Sequence, residues 1–336
     1  MRLGIIDVGT NSIHLVIVEL GPRRQARTLI HECALARLGE DGLARNRLRP
    51  VAMQRALSVL RRYAALLTRY EAQRVEAVAT SAVRDAVNGR PFVRRVRQLT
   101  GLPLRIISGR EEGRLLYQGL AQTRRLRGPT VVLALGGGSA QVMRGDGSRL
   151  QRVTSLPLGC ARLAQRFIHH DPPQPPELER LRRHAWRAWA PVAQRFHISS
   201  REAVGSSSMI GQLLAAARAT PARGAPPRQG GVAPLLTPVG RNPERAHPAK
   251  AGWRESKGRT QSLTVSQETL RAFLQWLARS RASARRRLPG IDPRREEWLL
   301  PAGMTLLTWM ERCGIRQVSY APGSLRDGIV VDYTGA

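Results

Sequence analysis

Three short stretches combine glycine with hydroxyl or amide side chains. They are residues 7–12 (Asp-Val-Gly-Thr-Asn-Ser), 136–139 (Gly-Gly-Gly-Ser) and 205–208 (Gly-Ser-Ser-Ser). A string of phosphates needs donors with little bulk, and such turns supply backbone N–H groups and hydroxyls. Any one of them reads as easily as an ordinary hairpin turn. Together, with the first two each lying between strand-like runs, they predict an anion site. Its candidates are Thr10, Asn11 and Ser12, then Gly137, Gly138 and Ser139, then Gly205 and Ser206. Asp7 ends an apolar run and opens the first turn. A carboxylate there suits Mg²⁺ bound through water, or caps its own turn, and the two roles are compatible.

A second set of residues could act on water. In residues 108–112 (Ser-Gly-Arg-Glu-Glu), Ser108 and Glu111 have the spacing of a capping box, which occupies Glu111. Glu112 is left free, in a first helical turn whose dipole favours the carboxylate form. Hydrolysis of a phosphoanhydride needs a group that orients or deprotonates water, and Glu112 is the candidate. The plain alternative is a solvated surface acid. Residues 79–86 (Ala-Thr-Ser-Ala-Val-Arg-Asp-Ala) follow a strand and open a helix, so Ser81 and Arg84 could reach an anion. A cap plus a surface arginine is the competing reading.

These residues need a frame. Residues 3–7 and 13–20 read as strands joined by a tight turn, where Gly9 and Asn11 suit positive φ. Residues 50–70 carry Leu57, Leu60, Ala64, Leu67 and Tyr70 at helical spacing. Residues 75–79 and 104–107 read as buried strands, and 111–125 as a helix. Residues 130–135 and 140–144 repeat the opening theme: strand, glycine turn, returning strand, about 130 positions later. The repeat predicts two similar α/β halves facing a cleft, residues 1–126 and 127–336. Residues 216–261, rich in Pro, Gly, Ala and Arg, read as a disordered basic insertion in the second half. Beyond it, Ser266 is a helix cap and 270–277 an amphipathic helix; 298–300, 318–320 and 328–333 are strand candidates.

The formal charge is +31, nearly all from arginine, since Lys250 and Lys257 are the only lysines. Such a surplus attracts polyanions: nucleic acid, anionic membrane, polyphosphate or nucleotides. GC-rich coding explains arginine in place of lysine but not the shortage of acids. A nucleic-acid partner would use the arginine-rich run 218–260, which offers only Trp253 for base stacking, and is the lesser reading. Cys33, Cys160 and Cys313 lie far apart without metal spacing, as in a reducing compartment. No signal peptide precedes Asp7 and no run is long enough to span a bilayer, so a soluble cytoplasmic protein without membrane contact is expected.

The stretches, taken in order, resemble the motifs of the exopolyphosphatase / guanosine pentaphosphate phosphatase (Ppx/GppA) family. Residues 7–12 and 135–139 look like its two phosphate loops. Residues 79–88, 107–119, 155–163, 289–295 and 324–328 are similar to its other motifs. The resemblance covers about 1–170, 200–212 and 263–333. It implies an actin-like, ribonuclease H-like α/β fold of two domains with a cleft between them. It also implies Mg²⁺-dependent hydrolysis of the terminal phosphoanhydride of polyphosphate or pppGpp. Glu112 would position the water and Asp7 would lie near the metal. Thr10, Asn11, Ser12, Arg84, Gly137, Gly138 and Ser139 would surround the phosphates. The family often forms dimers, so a homodimer is expected.

The chain departs from the family pattern at three places. Ala134 stands where the family has an aspartate and Gln141 where it has a glutamate, both acids used near the metal. Alanine offers no ligand and glutamine only a neutral carbonyl, whereas Mg²⁺ prefers anionic oxygens. Ser208 and Met209 replace a glycine and a threonine. Two readings follow: a hydrolase with an impaired metal site, or a regulatory protein that binds polyphosphate or an alarmone without cleaving it.

Overall fold

The computed structural model describes residues 1–22, 25–124, 126, 128–196, 202–220 and 263–335. The insertion expected at 216–261 lies outside the described residues from 221 onward, as do Trp253 and most of the arginine-rich run. Residues 216–220 are no part of a disordered segment. They close a helix on buried Ala216 and Ala217, and the Thr220 hydroxyl donates to the Ala216 carbonyl.

The first sheet holds β1 (Arg2–Val8), β2 (Ile13–Leu20), β3 (Ala26–Ala34), β4 (Arg74–Ala79) and β5 (Leu104–Ile106), in the order β3-β2-β1-β4-β5. The second holds β6 (Pro129–Leu135), β7 (Ala140–Asp146), β8 (Arg149–Leu156), β9 (Glu202–Ser206), β10 (Thr264–Ser266) and β11 (Gln317–Tyr320). Its order is β10-β11-β9-β6-β7-β8. In each sheet an antiparallel three-strand meander is followed by a strand parallel to its first member, β4 beside β1 and β9 beside β6. A further parallel strand then joins, β5 or β11. The predicted repeat therefore extends to five strands of each sheet, and β10, antiparallel at the edge of the second, has no counterpart.

Helix α1 (Pro50–Arg69) starts at a proline, whose missing N–H costs nothing there, and buries Ala52, Ala56, Leu60, Tyr63 and Leu67 on one face. The short α2 (Ser81–Arg84) and α3 (Gly89–Thr100) follow β4. Helix α4 (Gly109–Thr123) is capped by Ser108, whose hydroxyl accepts from Glu111 N. Only that half of the expected box forms; the Glu111 carboxylate turns to Arg105 at 2.7 Å. The second sheet is flanked by α5 (Cys160–Phe167), α6 (Pro175–Phe196), α7 (Ser208–Ala219), α8 (Gln267–Arg279) and α9 (Ala282–Arg285). The last helices are α10 (Leu299–Cys313) and α11 (Leu325–Thr334). Ser266 caps α8 as expected.

Two strand candidates are helical. Residues 298–300 run from a 3-10 turn into α10, buried all round among Leu299, Leu300, Leu306 and Trp309; a short apolar run does not distinguish buried strand from buried helix. Residues 328–333 lie in α11 because Ser324 and Asp327 form a full capping box just before them, which outweighs the β-branched Ile-Val-Val run. Gly9 and Asn11 are not in the left-handed region. Gly9 is needed for space: a Cβ there would lie 2.9 Å from the Ser12 carbonyl oxygen. Cys33, Cys160 and Cys313 are unpaired thiols, Cys160 buried. Among the described residues no helix is long and apolar enough to cross a membrane.

Helix α11 packs along α4, the helix that carries Glu112, and reaches β1. The approach is so close that a Cβ on Gly328 would stand 2.0 Å from the Leu115 carbonyl oxygen, and one on Gly119 2.4 Å from that of Ser324. Arg114 clasps Asp332 across the pair through two 2.8 Å bonds. Because the clash at Gly328 is with backbone, Gly328→Ala should destabilise the protein by about 3 kcal/mol and lower its thermal midpoint by several degrees. Thermal unfolding followed by circular dichroism checks this; an unchanged midpoint would mean that α11 does not dock on α4.

Candidate active site

The two glycine turns sit at corresponding ends of their sheets, and they touch. A Cβ on Gly137 would come within 2.5 Å of Asn11 Nδ2 and 3.0 Å of Thr10 Cβ. One on Gly138 would come within 2.3 Å of Ser81 Oγ and 2.8 Å of Thr10 Oγ1. Thr10 Oγ1 and Ser81 Oγ lie 3.1 Å apart in a buried hydrogen bond. So Thr10 and Asn11, the α2 residue Ser81, and Gly137 and Gly138 converge from three chain segments. Ser139, also buried, accepts from Gln141 Nε2 at 2.8 Å. Ser12 is turned aside: its hydroxyl pairs with His14 Nε2 at 3.0 Å. Burial and the nearby Arg326 guanidinium hold that imidazole well below the usual histidine range.

The third turn lies beside the second, since Leu133 pairs with Gly205 and Ala134 with Ser206 in parallel register. Its groups are turned elsewhere. Gly205 faces the Ile210 side chain, and the Ser206 hydroxyl donates to the Gly323 carbonyl at 3.3 Å. Ser207 takes φ of +119° to cap α7, and Ser208 Oγ accepts from Arg295 at 3.1 Å.

Glu112 is not the solvated acid of the plain reading. It is buried, and its Oε2 accepts from Arg84 NH1 at 2.8 Å. Burial pushes its carboxyl up to about 7, against the pull of Arg84, with Asp7 and Asp85 adding to the rise. Loss of hydration thus outweighs the helix dipole, which alone would favour the ionised form. Arg84 faces this carboxylate rather than an open anion site. Its NH1 also donates to the Ile107 carbonyl at 3.2 Å, and its Nε lies 3.5 Å from Asp85 Oδ1.

Arg162 continues the line. Its NH2 donates to Asp85 at 2.5 Å, its Nε to the Gly138 carbonyl at 2.9 Å, and its NH1 to Asn46 Oδ1 and the Leu43 carbonyl at 3.1 and 3.2 Å. A residue of α5 in the second half thereby fastens the second glycine turn to the first half. Sequence reasoning assigned Arg162 no role. An arginine inside the apolar run 158–163 was the available signal, because a buried charge requires partners. Asp85 and Arg326 were missed likewise.

Asp7 is largely buried and accepts from Arg326 NH1 at 3.1 Å. Burial raises its carboxyl above the ordinary value and Arg326 opposes the rise. Ala134 and Gln141 are direct partners across β6 and β7. Ala134 packs in an apolar cluster with Tyr117, Leu120 and Met143. The Gln141 amide nitrogen donates to Ser139 and, at 3.3 Å, to Ser155. Among the described residues no three His, Cys, Asp or Glu side chains are grouped to hold a metal. The side chains present do not fit Mg²⁺ held by several protein carboxylates: one candidate acid faces an arginine and the other two positions carry no charge.

The model of the Ppx/GppA phosphatase family matches residues 16–335. The chain belongs to that family. This Ppx/GppA member is 37% identical over 191 residues to exopolyphosphatase 2 of Mycobacterium tuberculosis, a match covering 54% of the chain and 60% of that relative. Its fold is close to that of an exopolyphosphatase from Cytophaga hutchinsonii, with a TM-score of 0.80 at 20% identity, over 100% of this chain and 98% of that one. It is also close to the Aquifex aeolicus Ppx/GppA family member, with a TM-score of 0.73 at 23% identity, over 99% and 97%. The two-sheet α/β architecture is thus the actin-like fold that the motifs implied.

Glu112 of this family member makes stability depend on pH. Its folded value near 7 exceeds the ordinary 4.5, so between them the folded state holds a proton that the unfolded chain has released. Stability should therefore fall as pH rises from about 5 to about 8, by an amount on the order of 2–3 kcal/mol from this group. Glu112→Gln should flatten that part of the profile. Thermal midpoints of both proteins across the range check it; parallel profiles would rule out a raised carboxyl.

Proposed function

We propose that this chain hydrolyses the terminal phosphoanhydride of inorganic polyphosphate or of pppGpp, with Glu112 as the group that orients and deprotonates the attacking water. The observation that carries the reading is the Glu112 carboxyl, buried and poised near neutrality beside Arg84, in the same site as two apposed glycine turns. In this reading the two glycine turns part to admit the chain end, while α11 stays docked on α4. Backbone N–H groups around Thr10 and Asn11, and around Gly137–Ser139, then take the terminal phosphoryl oxygens. A water held by Glu112 attacks phosphorus, and Glu112 takes its proton. The new P–O bond forms as the bridging P–O bond breaks, and the shortened phosphate chain leaves as an anion. Arg84 and Arg162, bonded to Glu112 and Asp85, would offset charge on the transferring group.

A second reading has specific support. Ala134 and Gln141 remove two negative charges and Arg326 neutralises Asp7, so cation binding is weakened while the anion-holding turns remain. In that case the protein binds polyphosphate or an alarmone as a regulator and does not turn it over.

Phosphate release from long-chain polyphosphate and from pppGpp, in Mg²⁺ buffer, separates the two. A hydrolase should show release that rises through an apparent pKa near 7 and falls roughly 10²–10⁴-fold in Glu112→Gln. The double change Ala134→Asp with Gln141→Glu should raise the rate, by up to roughly 10²-fold. Release no greater than that of Glu112→Gln, together with tight binding by calorimetry, would exclude turnover and leave the regulator.

A further inference from the structure

A cavity of about 690 Å³ opens along the seam between the halves, on the side of the first glycine turn and away from Glu112. This volume is in the range of sites for small molecules. Asn11 forms part of its wall, so the cavity and the first turn share a residue. One wall is the segment between β3 and α1, with Arg45 and Arg47; the other includes Gln165 of α5 and Trp298.

The charges of this lining do not cancel locally. Asp41 is bonded by Arg49 at 2.8 Å. Glu40 is held by Arg55 and by Arg37 at 3.4 Å, and Arg37 lies 3.5 Å from Glu297. The acids of the wall are therefore already paired. Arg45 and Arg47 are exposed, and no acid among the described residues pairs with either. An exposed pair of guanidiniums at the rim of a concave site attracts an anion.

The neutral groups narrow the class of anion. A purine would need an open aromatic face, and stacking on one is worth roughly 1–3 kcal/mol per base. Two rings line the wall: Trp298 is only 5% exposed, with the Arg37 guanidinium 5.5 Å from its ring centre, and the exposed His169 offers only the small face of an imidazole. The Gln165 amide is occupied by the Gly39 carbonyl at 2.9 Å and by Leu43 N at 3.2 Å. What remains accessible is cationic, as suits a bare phosphate chain.

The cavity is also joined to the site already described. From Glu112 the contacts pass through Arg84, Asp85 and Arg162 to Asn46 and Leu43, which flank Arg45 and Arg47 in the same segment.

We infer that this cavity is a second anion subsite, where Arg45 and Arg47 hold the part of an inorganic polyphosphate chain that extends beyond the glycine turns. The inference rests on the phosphoanhydride reading above and deepens it: the cavity favours polyphosphate over a guanosine nucleotide.

The test measures binding in the Glu112→Gln background, so that turnover does not consume the probe. Long-chain polyphosphate, tripolyphosphate and pppGpp are titrated by calorimetry at two salt concentrations. Arg45→Ala with Arg47→Ala should weaken long-chain polyphosphate about 10-fold or more and flatten its salt dependence, while the two short probes change by less than about twofold. Arg45→Lys with Arg47→Lys should restore most of the loss. Arg61→Ala with Arg69→Ala removes the same charge from exposed positions of α1 outside the cavity, and should leave long-chain binding nearly unchanged. Equal losses for all three probes, no loss, or an equal loss in the α1 control overturns the subsite while the reading at the glycine turns stands. Failure of the Glu112→Gln parent to bind any of the three overturns both.

Discussion

The contact between Gly137–Gly138 and the Thr10–Asn11–Ser81 group is the constraint on which the rest of the site depends. Two backbone turns from different sheets approach to distances that no side chain at either glycine would permit. That approach brings the two turns to one place and ties the ends of β1, β4 and β6 together. Arg162 fixes it. A buried guanidinium has five donors to satisfy, and here four of them are met by the Gly138 and Leu43 carbonyls, Asn46 and Asp85. Those partners belong to both halves. The cost of stranding such a charge therefore acts against any other arrangement of the two.

The same closeness sets the electrostatics. Glu112 and Asp7 are both withdrawn from water near the turns, and each carboxyl rises for that reason. Arg84 limits the rise at Glu112 and Arg326 the rise at Asp7. A site built this way is cationic when empty. Ala134 and Gln141 add no negative charge, and the net +31 of the chain extends the same bias over the whole molecule. In the proposed reading, arginine rather than a carboxylate-held cation offsets the charge of the phosphates.

Much of the fold was legible because it is periodic. The strand–turn–strand theme at residues 1–20 and 129–146 pointed to two related halves, and the sheet orders bear this out down to the direction of each shared strand. The places of the two main glycine turns were legible for the same reason, since each closes a strand–turn–strand unit. What escaped depended on distant partners. The helical state of 328–333 is decided by a cap at Ser324 and Asp327 and by packing on α4, not by the β-branched residues themselves. The role of Arg162 exists only once Asp85, Asn46 and Gly138 are brought to it. The third turn misled for the opposite reason: its composition suits phosphate, but Gly205 and Ser206 are occupied by Ile210 and Gly323.

In the proposed reading, the opening of the glycine turns and the poise of Glu112 are linked. With the turns in contact the carboxyl is dry, and its proton is held up to about 7. Parting the turns to admit a phosphate would rehydrate it and draw the value down toward that of an exposed acid. An arriving polyanion acts in the other direction, since negative charge nearby disfavours a second one. Arg84, bonded to Glu112, and Arg162, two contacts further along, are placed to absorb that added charge. The carboxylate can then stay ionised beside an anion, which a proton acceptor for water requires. A site with the same glutamate but without that line of guanidiniums would bind its substrate and protonate its own base.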